Sequence, residues 1–152
     1  MKKFKSLLIL FLVCLGVSLF LYFKFLSNKC ETKTKIVTKV IDGDTIIVEG
    51  SKKIRLLGID ADEKGYPCYY SAKEALEEKI LNKRVRLECD LKDKDIYGRY
   101  LRYVFVDNEN INVWMVRNGF AIARTEDAKK YEKEIIEAEK YAKENNIGCK
   151  WK

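Results

Sequence analysis

Histidine is absent from the 152 residues of the chain, and this absence excludes several kinds of catalysis. Without imidazole there can be no Ser-His-Asp triad, no histidine-pair ribonuclease chemistry and no zinc site with a histidine ligand. Cys-x-x-Cys pairs are absent too, which argues against a zinc site built from cysteines. Any hydrolysis by this chain must therefore use carboxylates, a metal ion held by oxygen atoms, and arginine or lysine.

The charge balance is basic, with 30 Lys and Arg against 23 Asp and Glu and a net charge of +7. Such an excess favours anionic partners such as nucleic acid or lipid head groups, although part of it lies in the N-terminal segment. The sequence contains no internal repeat and no low-complexity tract. Its length predicts one globular domain of about 120 residues behind a leader.

The leader, residues 1–27, is predicted to be a signal peptide or a signal-anchor helix. Three lysines in the first five residues precede 17 apolar or small residues from Leu7 to Phe23. This run is long for a signal-peptide core and just long enough to span a bilayer, and the lysines place the amino terminus in the cytoplasm. We expect residues 28–152 to be exported, either anchored to the membrane, the favoured alternative, or secreted after cleavage.

Residue patterns in the exported part predict an α+β fold. β-Branched and alternating segments predict five strands, at residues 35–40, 46–48, 53–59, 84–89 and 100–106. Three helices are predicted: one begun by a capping box of Ser71 and Glu74, one capped by Asn112 and ended by Gly119, and one from about Glu126 to Asn145. This order favours a five-stranded barrel of the oligonucleotide-binding type with three helices.

Four cysteines follow the leader, at positions 30, 68, 89 and 149. In an exported domain they allow two disulfides in three connectivities, and four unpaired thiols are the alternative. We favour Cys30 with Cys89 and Cys68 with Cys149, since each pair would tie a chain end to the barrel or to its first helix.

Candidate chemistry concentrates between Arg55 and Glu63. A strand carrying Arg55 leads into a loop carrying Asp60, Asp62 and Glu63, and this density of negative charge favours a divalent cation. Upstream, Asp44 lies in a tight Asp-Gly-Asp-Thr bend. A hard cation between Asp44 and Asp60 would suit phosphodiester cleavage, in which Glu63 would accept a proton from water.

Arginine supplies the other requirement of that chemistry, because its planar guanidinium can bind two phosphate oxygens at once. Arg55 and Arg99 are the candidates, since each is predicted at a strand end beside the loops. Together the carboxylates and arginines predict one phosphodiester-cleaving site.

Several ordered motifs in residues 35–151 resemble the staphylococcal-nuclease (thermonuclease) family. They are Val40 to Thr45, Arg55 to Asp60 with Glu63, Asp95 to Arg99, Val116 to Ala121, and a closing Gly148 and Trp151. The resemblance implies a calcium-dependent nuclease that attacks DNA and RNA at phosphorus and leaves a 3′-phosphate. It implies no protein partner, and a monomer is expected.

By the same resemblance, each candidate acquires a role. Asp44 and Asp60 match the calcium carboxylates, Glu63 the general base, and Arg55 and Arg99 the two phosphate-binding arginines. Tyr97 matches an aromatic residue that contacts nucleotide. The alternative is a non-catalytic module that binds nucleic acid or protein on the same barrel, but such modules usually lose these positions and none is lost here.

The chain departs from the family pattern near the acidic loop. Ala61 replaces a threonine whose carbonyl binds the ion, and Asp62 replaces a proline. Asp62 either tightens cation binding or lets the loop move and misplaces Glu63. A second nucleotide-binding tyrosine, expected shortly after Ala121, has no clear counterpart.

Overall fold

The structure is a computed structural model that describes residues 13–20, 22 and 32–152, and the chain divides into two units, Met1–Cys30 and Glu31–Lys152. In the first unit, residues 13–20 are helical and exposed. Among the residues described, no helix is both long and apolar enough to cross a membrane. The predicted leader falls mostly outside the described residues and stays a prediction.

Residues 32–152 form eight strands and four helices. The strands are β1 (Lys33–Val40), β2 (Thr45–Val48), β3 (Lys52–Leu56), β4 (Ile59–Ala61), β5 (Arg84–Glu88), β6 (Tyr100–Val106), β7 (Glu109–Asn110) and β8 (Ala121–Ala123). The helices are α1 (Tyr69–Ile80), α2 (Ile111–Arg117), α3 (Glu132–Glu144) and α4 (Gly148–Trp151). The prediction of three helices missed the short α4.

Five of the strands close into the predicted barrel, in the order β1-β2-β3-β6-β5. Neighbours are antiparallel except for β3 and β6, whose parallel pairing of Ile54 with Tyr100 completes the ring and makes the barrel mixed. Side chains from the strands and the first three helices fill one core, including Ile46, Leu56, Leu76, Tyr103, Met115 and Ile135. Burying such side chains is the main source of stability for the fold.

The third barrel strand ends at Leu56 and not, as predicted, at Ile59. The chain turns at Gly58, which has a φ of +83° and leaves no room for a side chain: a Cβ there would lie 2.6 Å from Ile135 Cδ1. The next residues form β4, which pairs with β8 in a separate two-stranded sheet. The turn therefore moves Asp60 from the barrel wall onto that second sheet.

Helix α1 begins at Tyr69, so the capping box predicted at Ser71 and Glu74 is wrong. The residue before the helix, Cys68, makes no side-chain capping bond. Its backbone amide instead donates to Asp62 Oδ2 at 3.0 Å. A carboxylate from the preceding loop thus takes the place of a local cap, which sequence spacing does not reveal.

Helix α2 is capped by Asn110 and not by Asn112, although it ends before Gly119 as predicted. The side chain of Asn112 is fully buried and joins β6 to the turn after β3. Its amide makes three bonds to backbone groups, at 2.9 Å from Val104 N, 2.8 Å to Leu57 O and 3.2 Å to Arg102 O. Because the amide is buried, these bonds fix the turn that carries the candidate site.

Helix α3 begins at Glu132, six residues later than predicted. The amides of Lys129 and Lys130 donate to Asp90 Oδ2 at 2.7 and 2.8 Å, and the hydroxyl of Tyr103 donates to the same oxygen at 2.9 Å. Asp90 thereby holds the chain before α3 in a turn. Five residues at helical spacing predict an apolar stripe for this helix: Ala128, Tyr131, Ile135, Ala138 and Ala142. Tyr131 is half-buried and the other four are buried.

A disulfide joins Cys68 to Cys149, with 5.2 Å between the Cα atoms, and this is one of the two pairings favoured from the sequence. It fastens the start of α1 to α4. Cys89 is also disulfide-bonded. Cys30, its predicted partner, lies outside the described residues.

We predict that Asp90→Asn lowers the free energy of unfolding at pH 7 by about 1–3 kcal/mol, since a carboxylate with several donors loses its charge. Burial acts to raise the pKa of Asp90, but the bonds from Lys130, Lys129 and Tyr103 outweigh it and lower the pKa below 3.8. The stabilisation is therefore present above that ordinary value and is lost as the pH falls through the lower folded-state pKa.

Urea unfolding of wild type and Asp90→Asn at several pH values measures this difference. The exposed Asp107, changed to Asn, is the matched control. A difference between wild type and Asp90→Asn that stays constant down to pH 2 would contradict the role of the ionised carboxylate.

Candidate active site

A cleft of about 380 Å³ opens where the turn after β3 meets the loops before β6 and after β8. Five of the residues singled out in the sequence line it: Arg55, Asp60, Glu63, Tyr97 and Arg99. Asp44 lies beneath the cleft, only 7% exposed, and contacts Arg55. Residues from distant parts of the chain are thus brought to one place.

Arg55 is the centre of the arrangement. Its Nη2 lies 3.1 Å from Asp44 Oδ2 and 2.7 Å from Asp60 Oδ1. Its Nη1 donates to the carbonyls of Leu56 and Ile59, each at 2.7 Å. The side chain is only 13% exposed, and both terminal nitrogens bind the protein itself. Most hydrogen-bond donors of Arg55 are therefore used on protein groups, and few are left to offer to the cleft.

Asp44 is a buried carboxyl group with three nearby donors. Its Oδ2 accepts from the amide of Ala61 at 2.8 Å as well as facing Arg55, and its Oδ1 accepts from Thr45 Oγ1 at 2.9 Å. Burial raises the pKa of Asp44 from 3.8 to about 7, with the charge of Arg55 acting against that rise. Arg55 therefore offsets only part of the electrostatic cost of this buried carboxylate.

Arg99 is held by Asp95, a residue whose role the sequence did not reveal. Arg99 Nε lies 2.6 Å from Asp95 Oδ2, and Asp95 Oδ1 accepts from the amides of Tyr97 and Arg99 at 2.9 Å. Burial acts to raise the pKa of Asp95, but the bonds from Arg99 outweigh it and lower the pKa. Arg99 Nη1 reaches Thr45 Oγ1 at 3.4 Å, which links it to Asp44.

Tyr97 and Glu63 are the exposed members of the set. Tyr97 is 78% exposed, and its ring centroid lies 5.6 Å from the guanidinium carbon of Arg99. Glu63 stands in a turn in which its carbonyl accepts from the amide of Tyr66 at 3.1 Å. An exposed carboxylate and an exposed ring therefore border the same cleft as the arginines.

Asp62 anchors the acidic loop to the C-terminal part of the chain. Its Oδ1 lies 2.5 Å from Lys150 Nζ, and its Oδ2 accepts the amide of Cys68. Burial acts to raise the pKa of Asp62, but the bond from Lys150 outweighs it and lowers the pKa. Asp62 binds the C-terminal helix beside the disulfide, and its carboxylate does not join the Asp44 and Asp60 pair.

Arg124 is a cleft residue that the sequence did not suggest. Its Nη1 lies 3.2 Å from Asp60 Oδ2, so Asp60 accepts from two arginines, Arg55 and Arg124. The only signal in the sequence was the arginine shortly after Ala121, where a tyrosine was expected. Its closeness to Asp60 depends on the pairing of β4 with β8, and strands of three residues are too short to give a sequence pattern that predicts this pairing.

The donors at Asp44 and Asp60 fit a hard cation. Both carboxylates lie within 3.1 Å of the same Arg55 nitrogen, so their oxygens converge on a small volume. Within residues 13–20, 22 and 32–152, no group of three or more acidic or cysteine side chains is placed to hold a metal ion. A cation at the pair therefore needs carbonyl and water ligands in addition, an oxygen set that suits calcium.

The fold and the site together define a class of protein, a mixed five-stranded barrel with a cleft lined by arginines and carboxylates. Within that class, the chain belongs to the staphylococcal nuclease family. Residues 53–152 match the family model described as staphylococcal nuclease homologue. The resemblance read from the motifs is therefore confirmed.

Named relatives agree with this assignment. The chain is 32% identical to a thermonuclease of Staphylococcus intermedius, with 97% of both chains covered. It is 38% identical to a thermonuclease of Staphylococcus hyicus, over 77% of this chain and 75% of that one. An uncharacterized endonuclease of Haemophilus influenzae is 40% identical over 70% of this chain and 61% of its own length. The prediction of a thermonuclease-like hydrolase is thus confirmed at the level of the enzyme class.

We predict that Asp62→Ala loosens the loop that carries Glu63. Losing a hydrogen-bonded charge pair costs about 1–3 kcal/mol, so amide exchange at Cys68 should accelerate by about tenfold or more. Hydrogen exchange read by mass spectrometry or NMR measures the effect. Glu137→Gln on the exposed face of α3 is the control, and unchanged exchange at Cys68 in Asp62→Ala would show that Asp62 does not anchor the loop.

Proposed function

We propose that the chain is a calcium-dependent nuclease that hydrolyses DNA and RNA at phosphorus and leaves 3′-phosphate ends. One observation carries the proposal: two aspartates, two arginines and an exposed glutamate, from three separated segments, come together, with Asp44 beneath one cleft and the other four lining it. Membership of the staphylococcal nuclease family and the two thermonuclease relatives support it.

Asp44, Asp60 and the carbonyl of Ala61 are the groups that would hold calcium. The bound ion would supply positive charge beside a phosphate oxygen and beside the attacking water. Arg55 now bonds to both carboxylates, so it must give up at least part of this pairing when a cation binds. Its two carbonyl partners, Leu56 and Ile59, keep the guanidinium at the floor of the cleft.

Arg55 and Arg99 bind the phosphate and stabilise the charge that builds on its oxygens in the transition state. Asp95 fixes Arg99 in advance, so little reorganisation is needed when substrate arrives. Glu63, exposed at the cleft, accepts the proton of the attacking water. Tyr97 offers its exposed ring to a base, and stacking of this kind does not discriminate between DNA and RNA.

The domain is proposed to act outside the cytoplasm, as residues 28–152 behind a leader at 1–27. The Cys68–Cys149 disulfide supports this location, because disulfides persist in oxidising compartments. The apolar run in the leader supports a membrane anchor or a cleaved signal. We further propose that the domain works as a monomer.

We predict that the full-length protein degrades single-stranded DNA and RNA in calcium and stops when the calcium is chelated. Products should gain a free 3′-hydroxyl only after phosphatase treatment, which mass spectrometry detects. Activity that persists in chelator would contradict the metal assignment. Inactivity in every divalent ion, with oligonucleotide binding retained, would favour the non-catalytic binding module.

We predict that Arg99→Lys lowers kcat about 100-fold or more without changing the melting temperature, since lysine lacks the planar pair of donors. Arg55→Lys should lower both kcat and stability, because Arg55 is also half of a buried ion pair. Steady-state kinetics and thermal unfolding separate the two effects. The exposed Arg84, changed to Lys, is the control, and full activity in Arg99→Lys would remove Arg99 from the mechanism.

A further inference from the structure

Arg124 occupies a position that the β4–β8 pairing fixes beside Asp60. The register pairs Asp60 with Ile122, so Arg124, two residues further on, lies on the same face as Asp60. Diagonal neighbours on one face are roughly 7–8 Å apart at Cα, within reach of an arginine. The amide of Arg124 donates to Gly58 O at 2.8 Å, which extends the pairing past the end of β8.

The three arginines at the cleft differ in how many donors they have committed. Arg55 uses both terminal nitrogens on protein groups and is 13% exposed. Arg99 uses Nε on Asp95 and Nη1 on Thr45 and is 26% exposed. Arg124 bonds to Asp60 through Nη1 alone and is 62% exposed. Arg124 therefore has the most donors left to offer a ligand in the cleft.

The bond that Arg124 does make is to Asp60, which is also a proposed calcium ligand. A cation on Asp60 would repel both guanidinium groups and compete for the carboxylate. Arg55 would keep its two carbonyl partners, but Arg124 would lose its side-chain partner. Cation binding would thus free the side chain of Arg124, which is the more exposed of the two arginines and lies at the cleft wall.

We propose that Arg124 is a third phosphate-binding arginine of this nuclease, which pairs with Asp60 and is freed for the nucleic-acid backbone when calcium binds. The proposal rests on the calcium-dependent function proposed above. It assigns two opposite effects to one side chain: Arg124 weakens calcium binding and strengthens substrate binding. A residue that only stabilised the fold would not weaken calcium binding and at the same time strengthen substrate binding.

The first test measures calcium binding directly, by isothermal titration of the full-length protein with calcium chloride. Arg124→Ala should bind calcium about two- to fivefold more tightly than wild type, the range expected when an exposed competing ion pair is removed. Arg84→Ala removes the same charge from an exposed position outside the cleft and is the matched control.

The second test counts phosphate contacts. At saturating calcium, the affinity for a nuclease-resistant phosphorothioate oligothymidylate is measured by fluorescence anisotropy at several salt concentrations. For single strands each phosphate contact contributes about 0.7 to the slope of log affinity against log salt. Arg124→Ala should lower that slope by about 0.7, and Arg84→Ala should leave it unchanged.

Two results would overturn the inference: calcium affinity in Arg124→Ala no tighter than in Arg84→Ala, or a salt slope equal to that of wild type. A wild-type protein that binds no calcium would overturn it as well. Neither readout depends on cleavage. A failure of the nuclease proposal, seen as intact unmodified DNA in calcium, is therefore distinguishable from a failure of the role of Arg124.

Discussion

The buried pair of Asp44 and Arg55 is the interaction on which the site depends. Asp44 lies just before β2 and Arg55 near the end of β3, with Asp44 Oδ2 3.1 Å from Arg55 Nη2. Through Asp44 the pair reaches Ala61 on β4 and Thr45, and through Thr45 it reaches Arg99. A buried ion pair rarely adds much net stability, but losing one partner is costly. The main effect of the pair is therefore to position Ala61, Thr45 and Arg99, and its contribution to the stability of the fold is smaller.

Contacts at both ends of the loop that carries Asp60, Asp62 and Glu63 keep this loop in place beside that pair. Gly58 lets the chain turn under α3, and Asn112 binds the carbonyl of Leu57 at the same turn. At the far end of the loop, Asp62 and Cys68 are tied to the C-terminal helix by an ion pair and a disulfide. The residues between these fixed ends include Asp60 and Glu63. A loop held at both ends can present carboxylates at a constant distance from the arginines, which catalysis requires.

The sequence predicted the parts of this protein that have a local signature. The barrel strands show alternation or β-branched runs, and the α3 stripe has helical spacing, so both were predictable. Asp44, Arg55, Asp60 and Arg99 were found because they fall within ordered motifs.

Other features depend on distant contacts. β4 and β8 are three residues long and carry no period, so the sequence could not place Arg124 beside Asp60. Asp62 resembled one more ligand until Lys150, 88 residues away, proved to be its partner.

The proposed function requires that calcium bind between Asp44 and Asp60, the two carboxylates that pair with Arg55. A crystal structure of the calcium-soaked protein tests this most directly. We expect a calcium ion bonded to oxygens of both Asp44 and Asp60, with Arg55 moved from at least one carboxylate while still bonded to the carbonyls of Leu56 and Ile59. Calcium bound elsewhere, or Arg55 still bonded to both carboxylates beside an occupied site, would contradict it.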